Sequence, residues 1–204
     1  GLSFARNLAI RSIDTEYIAY IDDDALAPVN WLTTAFGVIS DHQPDIFGGP
    51  AIQDSCEDDL PKWFKQGYRG MCTDVQSGWI REGLIPGCNF FIKKALIDSY
   101  GGFDTALGMI GEDIRFHEET AVLSRAYKEE KKVYFSCQLT VRHAVHDYCK
   151  TLAYFLFIKY ELAKEKYRIF KNETYEFSDL TDLLDALDDF FKDPLLKAVI
   201  SVYW

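Results

Sequence analysis

Three consecutive carboxylates follow a mostly apolar segment near the start of the chain. Residues 16–21, rich in Ile, Tyr and Ala, run directly into Asp22, Asp23 and Asp24. Such an apolar run is typical of a strand buried in a parallel sheet, and these sheets bind ligands beyond the carboxyl ends of their strands. Because adjacent carboxylates repel one another, we expect a positive charge there, and an all-oxygen ligand set favours Mg2+ or Mn2+.

The same residues also fit a structure that binds nothing. A solvated turn followed by a helix beginning at Pro28 would be rich in aspartate, because aspartate favours turns and caps helices. The choice between a ligand site and a solvated turn therefore depends on the elements around the three carboxylates.

Composition limits the classes of function. The 204 residues, 48% of them hydrophobic, suffice for one substantial core. A net charge of -10 argues against broad binding of nucleic acid or of anionic membranes. Five cysteines without a C-x-x-C pair fit a reduced, intracellular compartment, and we assign them no role. The chain lacks an initiator Met and its ends fall in structured sequence, so we expect a fragment of a longer protein.

The elements around the carboxylates predict an α/β fold. Residues 3–12 have helical spacing with Ser3 as N-cap, and a second amphipathic helix follows Pro28. Residues 45–52 form a further predicted strand, so a helix lies between two strands, as in a βαβ unit. Further along, we predict a loop region over 53–87, strands at 89–92, 132–135 and 139–141, helices over 93–100 and 112–128, and helical spacing from Tyr148 onward.

Four ordered segments resemble the family 2 glycosyltransferases, nucleotide-sugar-dependent enzymes of the GT-A fold. They are residues 1–7 with Arg6-Asn7, the D-x-D-like Asp22-Asp23-Asp24, residues 86–91 with 101–104, and Gly111-Glu112-Asp113 followed by Val141-Arg142-His143. The resemblance implies a mixed, Rossmann-like sheet flanked by helices. It covers a partial GT-A domain over 1–147, lacking that family's N-terminal nucleotide-binding strands, with a helical region over 148–204 packed on it.

The resemblance also implies roles on the donor side. Asp24 would bind the metal directly, Asp22 would hold the ribose or a metal-bound water, and Asp23, on the alternate face, is the weakest candidate. Arg6 would add a fixed cation near the nucleotide, and His143 is a second metal ligand. The implied cofactor is Mn2+ or Mg2+, which would neutralise the departing diphosphate.

On the acceptor side, the resemblance implies one general base. Asp113 would take the proton of the acceptor hydroxyl, with Glu112 orienting substrate, and direct displacement would invert the anomeric carbon. Gly87 and Asn89 would contact the acceptor. The expected partners are a nucleotide-sugar donor and a saccharide, lipid-linked or other hydroxyl acceptor, with no nucleic acid; the protein would be cytoplasmic, with peripheral association at the inner face of the membrane left open.

Simpler interpretations remain for each group of residues. Arg6 fits a helix-surface arginine, Glu112 and Asp113 fit an acidic first turn that complements the helix dipole, and His143 fits a packing residue. Asp22-x-Asp24 after a strand also resembles the haloacid-dehalogenase-type phosphatases, although Leu26 replaces their usual Thr or Val. A non-catalytic sugar-binding module of the transferase type is the third class.

Overall fold

The computed structural model describes residues 1–54, 70–111, 115–151 and 153–154. The chain divides into two compact units, Gly1–Cys56 with Gln66–Val145 and Glu57–Lys65 with His146–Trp204. Four helices of the first unit are described: α1 (Leu2–Ser12), α2 (Trp31–His42), α3 (Lys94–Tyr100) and α4 (Glu118–Lys128). Its described strands are β1 (Tyr17–Tyr20), β2 (Ala25–Leu26), β3 (Ile46–Gly48), β4 (Ala51–Asp54), β5 (Gly70–Met71), β6 (Gly78–Ile80), β7 (Phe90–Lys93), β8 (Val133–Phe135) and β9 (Val141–Ala144).

The main sheet has five strands in the order β1-β7-β3-β8-β6. Only β3 and β8 are parallel neighbours; β7 pairs antiparallel with both β1 and β3. The predicted α/β class with a mixed sheet is thus confirmed. The expected parallel pairing of the first strand is wrong: β1 and β3 run in the same direction, but β7 lies between them. Ala19 of β1 is also exposed, so this strand is not covered on both faces.

Helices cover both faces of the sheet because its strands alternate apolar side chains between two cores. Ile46 of β3 joins a core with α1, α3 and α4, whereas the neighbouring Phe47 joins a core with α2. On β7, Phe90 and Ile92 face the first core and Phe91 faces the second. The result is a three-layer domain whose sheet is held from both sides.

A sharp bend separates β3 from β4, which the sequence predicts as one strand. A side chain at Gly49 would collide with the carbonyl oxygens of Ser136 and Leu139, so only glycine fits. The bend sends β4 into a second sheet, of order β2-β9-β4-β5. In that sheet Ala25 of β2 lies opposite His143 of β9, which brings the histidine beside the acidic turn.

Two predicted helix starts are wrong. The helix predicted from residue 112 begins at Glu118, because the described residues 115–117 are not helical and His117 adopts a left-handed φ of 73°. The second helix begins at Trp31 rather than near Pro28, and the Pro28 carbonyl accepts the N–H of Trp31 at 2.9 Å. The hydroxyl of Ser3, predicted to cap α1, instead donates to the Leu107 carbonyl at 2.7 Å.

The second unit is described only at residues 146–151 and 153–154. It contains a short 3-10 helix, Asp147–Lys150, and the remaining helices predicted from Tyr148 onward lie outside the described residues. In the described part of the chain, no helix combines the length and the apolar character needed to cross a membrane.

Candidate active site

The acidic turn after β1 directs two of its three carboxylates toward one histidine. His143 Nε2 lies 3.5 Å from Asp22 Oδ2 and 3.3 Å from Asp24 Oδ1. Backbone hydrogen bonds fix the turn: Ala25 N–H donates to the Asp22 carbonyl at 3.1 Å, and Ala144 N–H donates to the Asp24 carbonyl at 3.0 Å. Asp23, between them, is exposed. The structure thus brings Asp22, Asp24 and His143 together and leaves Asp23 in solvent.

His143 is oriented for ligation. Its Nδ1 lies 3.1 Å from the Ala144 carbonyl, which can only accept, so Nδ1 carries the proton and Nε2 faces the carboxylates. The hydrogen bond to Asp22 raises the pKa of His143 against the opposing effect of burial, with further support from the Ala144 carbonyl and Asp24. The raised pKa favours the protonated imidazole beside the two aspartates when no metal is bound, and a divalent cation would replace the Nε2 proton. Carboxylate oxygens with one imidazole suit Mn2+, and these residues fit such an ion.

Cys88 also reaches this cluster, although the sequence assigns the cysteines no role. It lies in a 3-10 helix, Gly87–Asn89, immediately before β7. One ligand atom each of Cys88, Asp22 and His143 lie within 4.8 Å of one another. The thiol is 2% exposed, and burial, reinforced by the Asp22 charge, raises its pKa to about 12. In the absence of a metal, Cys88 is therefore a neutral thiol at physiological pH rather than a reactive thiolate.

Arg6 lies on α1 behind the acidic turn and is 7% exposed. Its Nη1 donates to Glu118 Oε1 at 2.7 Å, and its Nη2 lies 3.9 Å from Asp22 Oδ1. The guanidinium also packs over the rings of Tyr20 and Phe103, at 5.5 and 5.4 Å from their centroids. The interpretation of Arg6 as a helix-surface arginine is wrong, because the side chain is a buried cation shared by two carboxylates.

The position of Arg6 depends on how α1 is held. Asn7 accepts the N–H of Phe103 at 2.7 Å and donates to the carbonyl of the same residue at 2.8 Å. A side chain at Gly102, whose φ is 92°, would meet Asn7 at 2.5 Å. These contacts fix the polar stripe of α1, formed by Ser3, Arg6 and Asn7, against the loop after α3.

The first turn of α4 supplies two further carboxylates. Glu118 binds Arg6, whereas Glu119 lies beside Gly87, where a β-carbon would stand 3.3 Å from the Glu119 carboxyl carbon and 3.2 Å from Arg6 Nη2. Burial, reinforced by the Glu118 charge, raises the pKa of Glu119 to about 7. An acidic pair just before the apolar spacing of Val122 and Leu123 is the sequence signal that could have identified this turn.

The predicted acceptor residues differ in their surroundings. Gly87 lies against Arg6 and Glu119, at the site. Asn89 has no exposed surface: its amide donates to the carbonyls of Pro50 and Leu139, and its oxygen accepts the indole N–H of Trp31 at 3.0 Å. The role predicted for Asn89 is therefore corrected, because a saturated core amide does not reach a substrate here. Glu112 and Asp113, the predicted base pair, lie outside the described residues.

Comparisons with known proteins concern the family and the fold. Residues 1–101 match the family model "Glycosyl transferase family 2". A curated relative, the glucosyl-dolichyl phosphate glucuronosyltransferase of Haloferax volcanii, is 24% identical over 153 residues, which cover 72% of this chain and 49% of the relative.

Two solved structures share the fold at low identity. One is the mannosyltransferase PcManGT from Pyrobaculum calidifontis in complex with GDP-Man and Mn2+, with a TM-score of 0.51 and 17% identity over 93% of this chain and 49% of that one. The other is S. aureus TarS 1-349 in complex with UDP, with a TM-score of 0.50 and 15% identity over 95% of this chain and 52% of that one. The chain thus spans about half the length of these relatives. Its fold is that of the GT-A glycosyltransferases, and its residues 1–101 are similar to glycosyl transferase family 2.

Proposed function

We propose that the protein transfers a sugar from a nucleotide-sugar donor to a hydroxyl acceptor, with inversion and with a divalent metal. One observation supports this above the others: Asp22 joins two groups of residues with complementary chemistry. It lies 3.5 Å from His143 in the cation-binding group and 3.9 Å from Arg6, which binds the acidic turn of α4. The residues proposed to bind the cation and the acidic turn that would supply the base are thus linked through Asp22 and Arg6, which supports transfer to a hydroxyl.

The cation-binding group serves the leaving diphosphate. Asp22, Asp24 and His143 would hold Mn2+ or Mg2+, and the bound ion would neutralise the charge that grows on the departing nucleotide. Asp24 remains our choice for a direct ligand, with Asp22 as a direct or water-mediated one. The complex of a neighbouring structure with GDP-Man and Mn2+ supports this choice of cofactor and donor class.

The acceptor proton needs a base, for which Glu119 has the required surroundings. Its pKa of about 7 matches the range in which general bases work best, and it lies beside Gly87 of the acceptor-side segment. Glu118 is not the candidate, because its carboxylate is bound to Arg6. Asp113, predicted from the sequence, is the alternative base. A single base with direct displacement implies inversion.

The acceptor would be a saccharide, free or lipid-linked. The curated relative acts, by its name, in glucosyl-dolichyl phosphate chemistry, which supports a lipid-linked acceptor as the first to test. With such an acceptor the protein would work in the cytoplasm, peripherally at the inner face of the membrane, and the helical region predicted over 148–204 would be available to contact lipid or a partner.

The test measures release of nucleoside diphosphate by the intact protein. A panel of UDP- and GDP-sugars is supplied with Mn2+, with Mg2+ or with EDTA, each with and without dolichyl-phosphate-linked or free saccharide acceptors. We expect acceptor-dependent release with one donor, abolished by EDTA and by Asp24→Asn, and a product with inverted anomeric configuration. Hydrolysis of simple phosphomonoesters would instead support the phosphatase class. Sugar binding without release would support the non-catalytic module.

A further inference from the structure

One thiol at the site has no part in the proposed transfer reaction. Cys88 lies on the segment that leads into β7, and one ligand atom each of Cys88, Asp22 and His143 lie within 4.8 Å of one another. Cys88 packs in the core with Phe91 and Leu139, as buried cysteines commonly do, but its thiol also lies next to the charged groups of the site. The observation to explain is a sulfur, an imidazole nitrogen and a carboxylate oxygen converging on one point.

The spacing of the oxygen and nitrogen atoms fits a tetrahedral ion. With Zn–S near 2.3 Å and Zn–N or Zn–O near 2.0 to 2.2 Å, the ligand atoms of such an ion lie roughly 3.3 to 3.6 Å apart. The distances from His143 Nε2 to Asp22 and Asp24 are 3.5 and 3.3 Å. The Cys88 sulfur lies within 4.8 Å of a ligand atom of Asp22 and of His143, so a shift of at most about 1.5 Å brings it to the ligand spacing of such an ion.

We propose that Cys88 completes, with Asp22 and His143, a thiolate-containing site for a borderline-soft divalent ion of the Zn2+ class, and that this ion competes with Mn2+ or Mg2+. The S–H proton of Cys88 passes to solvent as the sulfur–metal bond forms. Asp24 supplies the fourth ligand or leaves that position to water.

The competition follows from the hardness of the ligands. Mg2+ gains nothing from sulfur and needs six oxygen-rich ligands, whereas Zn2+, Co2+ and Cd2+ bind a thiolate together with nitrogen and oxygen. An ion held by Cys88 would use Asp22 and His143 and exclude the hard ion from the same residues. The inhibition expected from this exclusion rests on the proposed transferase function, but the binding of the soft ion does not.

The test uses Co2+ as a spectroscopic probe of the intact protein under anaerobic, reducing conditions. We expect about one equivalent of Co2+ to produce a sulfur-to-cobalt charge-transfer band, and Zn2+ to displace it. Cys88→Ser should remove the band and weaken Co2+ binding at least about 100-fold, since loss of even an indirect partner of a metal costs 10- to 100-fold. The same variant should change Mg2+ affinity less than about threefold, since Mg2+ is bound through oxygen.

Two further variants keep the result interpretable. Cys137→Ser removes an exposed thiol and should leave the band intact, which controls for non-specific thiol binding. His143→Gln keeps every cysteine and should weaken Co2+ binding, so it tests the site even if Cys88→Ser folds poorly. A band that survives Cys88→Ser, or Co2+ binding without any band in the wild type, would overturn the proposal. A Cys88-dependent band in a protein without transferase activity would refute the proposed function alone.

Discussion

The two ends of the main sheet differ in how far their carboxylates are balanced by positive groups and hydrogen-bond donors. At the end opposite the site, Asp45 is surrounded by donors: Lys93 Nζ lies 3.0 Å from Oδ1, and the Lys132 N–H donates to Oδ2 at 2.9 Å. Tyr17 closes this group, with its hydroxyl donating to the Pro44 carbonyl and its ring beneath Lys93. We call these residues the Asp45 cluster. The Asp45 carboxylate is thus paired with the Lys93 ammonium and with the backbone amide of Lys132.

The site has an excess of anions instead. Asp22, Asp24, Glu118 and Glu119 are grouped around Arg6 and His143, and we call these four the carboxylate group. The pKa values follow the difference. Although burial opposes it, hydrogen bonding from Lys132 and Lys93 lowers the pKa of Asp45, whereas burial raises that of Glu119. Matched charges stabilise the fold, whereas the excess of carboxylates at the site would stabilise a bound cation.

The largest effect is expected from Glu119→Gln in the carboxylate group. If Glu119 is the base, turnover should fall by about 10²- to 10⁴-fold, because the amide cannot accept the acceptor proton. Metal affinity should stay within a few-fold, since Glu119 does not bind the ion. Steady-state kinetics with a saturating donor measures the fall.

Asp113→Asn is the matched comparison for that experiment. Suppose that Asp113→Asn lowers turnover by about 10²- to 10⁴-fold while Glu119→Gln keeps near-normal turnover. The base then lies in the segment around Asp113, and the excess of carboxylates at the site end of the sheet does not identify the catalytic carboxylate. A wild-type rate that rises with pH through about 7, and loses this rise in Glu119→Gln, would support Glu119 independently.

The next effect concerns stability. Arg6→Met should destabilise the fold by about 3–5 kcal/mol, because it leaves the buried Glu118 carboxylate without its partner. Urea unfolding monitored by tryptophan fluorescence measures the change. Adding Glu118→Gln to the same chain should restore a large part of the lost stability. A single variant as stable as the wild type would mean that Arg6 is not the cation that holds the α4 turn.

A smaller loss is expected at the other end of the sheet. Asp45→Asn keeps the shape but weakens two hydrogen bonds to a charged acceptor, and should cost about 1–2 kcal/mol of unfolding free energy. Turnover should remain at the wild-type level, because Asp45 lies away from the carboxylate group. A large loss of turnover in a folded Asp45→Asn variant would contradict the view that the Asp45 cluster stabilises the fold without serving the reaction.

The smallest effect is the pH dependence of the stability difference between the wild type and Asp45→Asn. The pKa of Asp45 is lowered on folding, so its contribution to stability is present above its ordinary value of 3.8 and disappears as the pH falls through the lower folded value. The stability gap between wild type and Asp45→Asn should therefore be constant from pH 6 to 8 and shrink on acidification. Urea titrations at several pH values measure it; a gap that widens in acid would reverse the assigned sign.

The sequence predicted those parts of the site that depend on local pattern. The strand before Asp22 and the helix carrying Arg6 follow from apolar spacing, and the predicted α/β class is confirmed. In the structure Arg6 lies 3.9 Å from Asp22. The parts it missed depend on distant contacts. Asn89 is a core residue because Trp31 and two remote carbonyls saturate it, and Cys88 reaches the site because β7 pairs with β1. Spacing alone also could not show that the described α4 begins at Glu118.

We expect the bend at Gly49 and Pro50 to affect the order in which the strands pair during folding. Because two residues join β3 to β4, pairing of β3 with β8 in the main sheet delivers β4 and β9 to each other in register. β2 then meets β9 across more than a hundred residues of chain, a contact of the kind that forms late in folding. We therefore expect the core to be complete before His143 reaches the acidic turn, so that a metal added during refolding should accelerate only the final step.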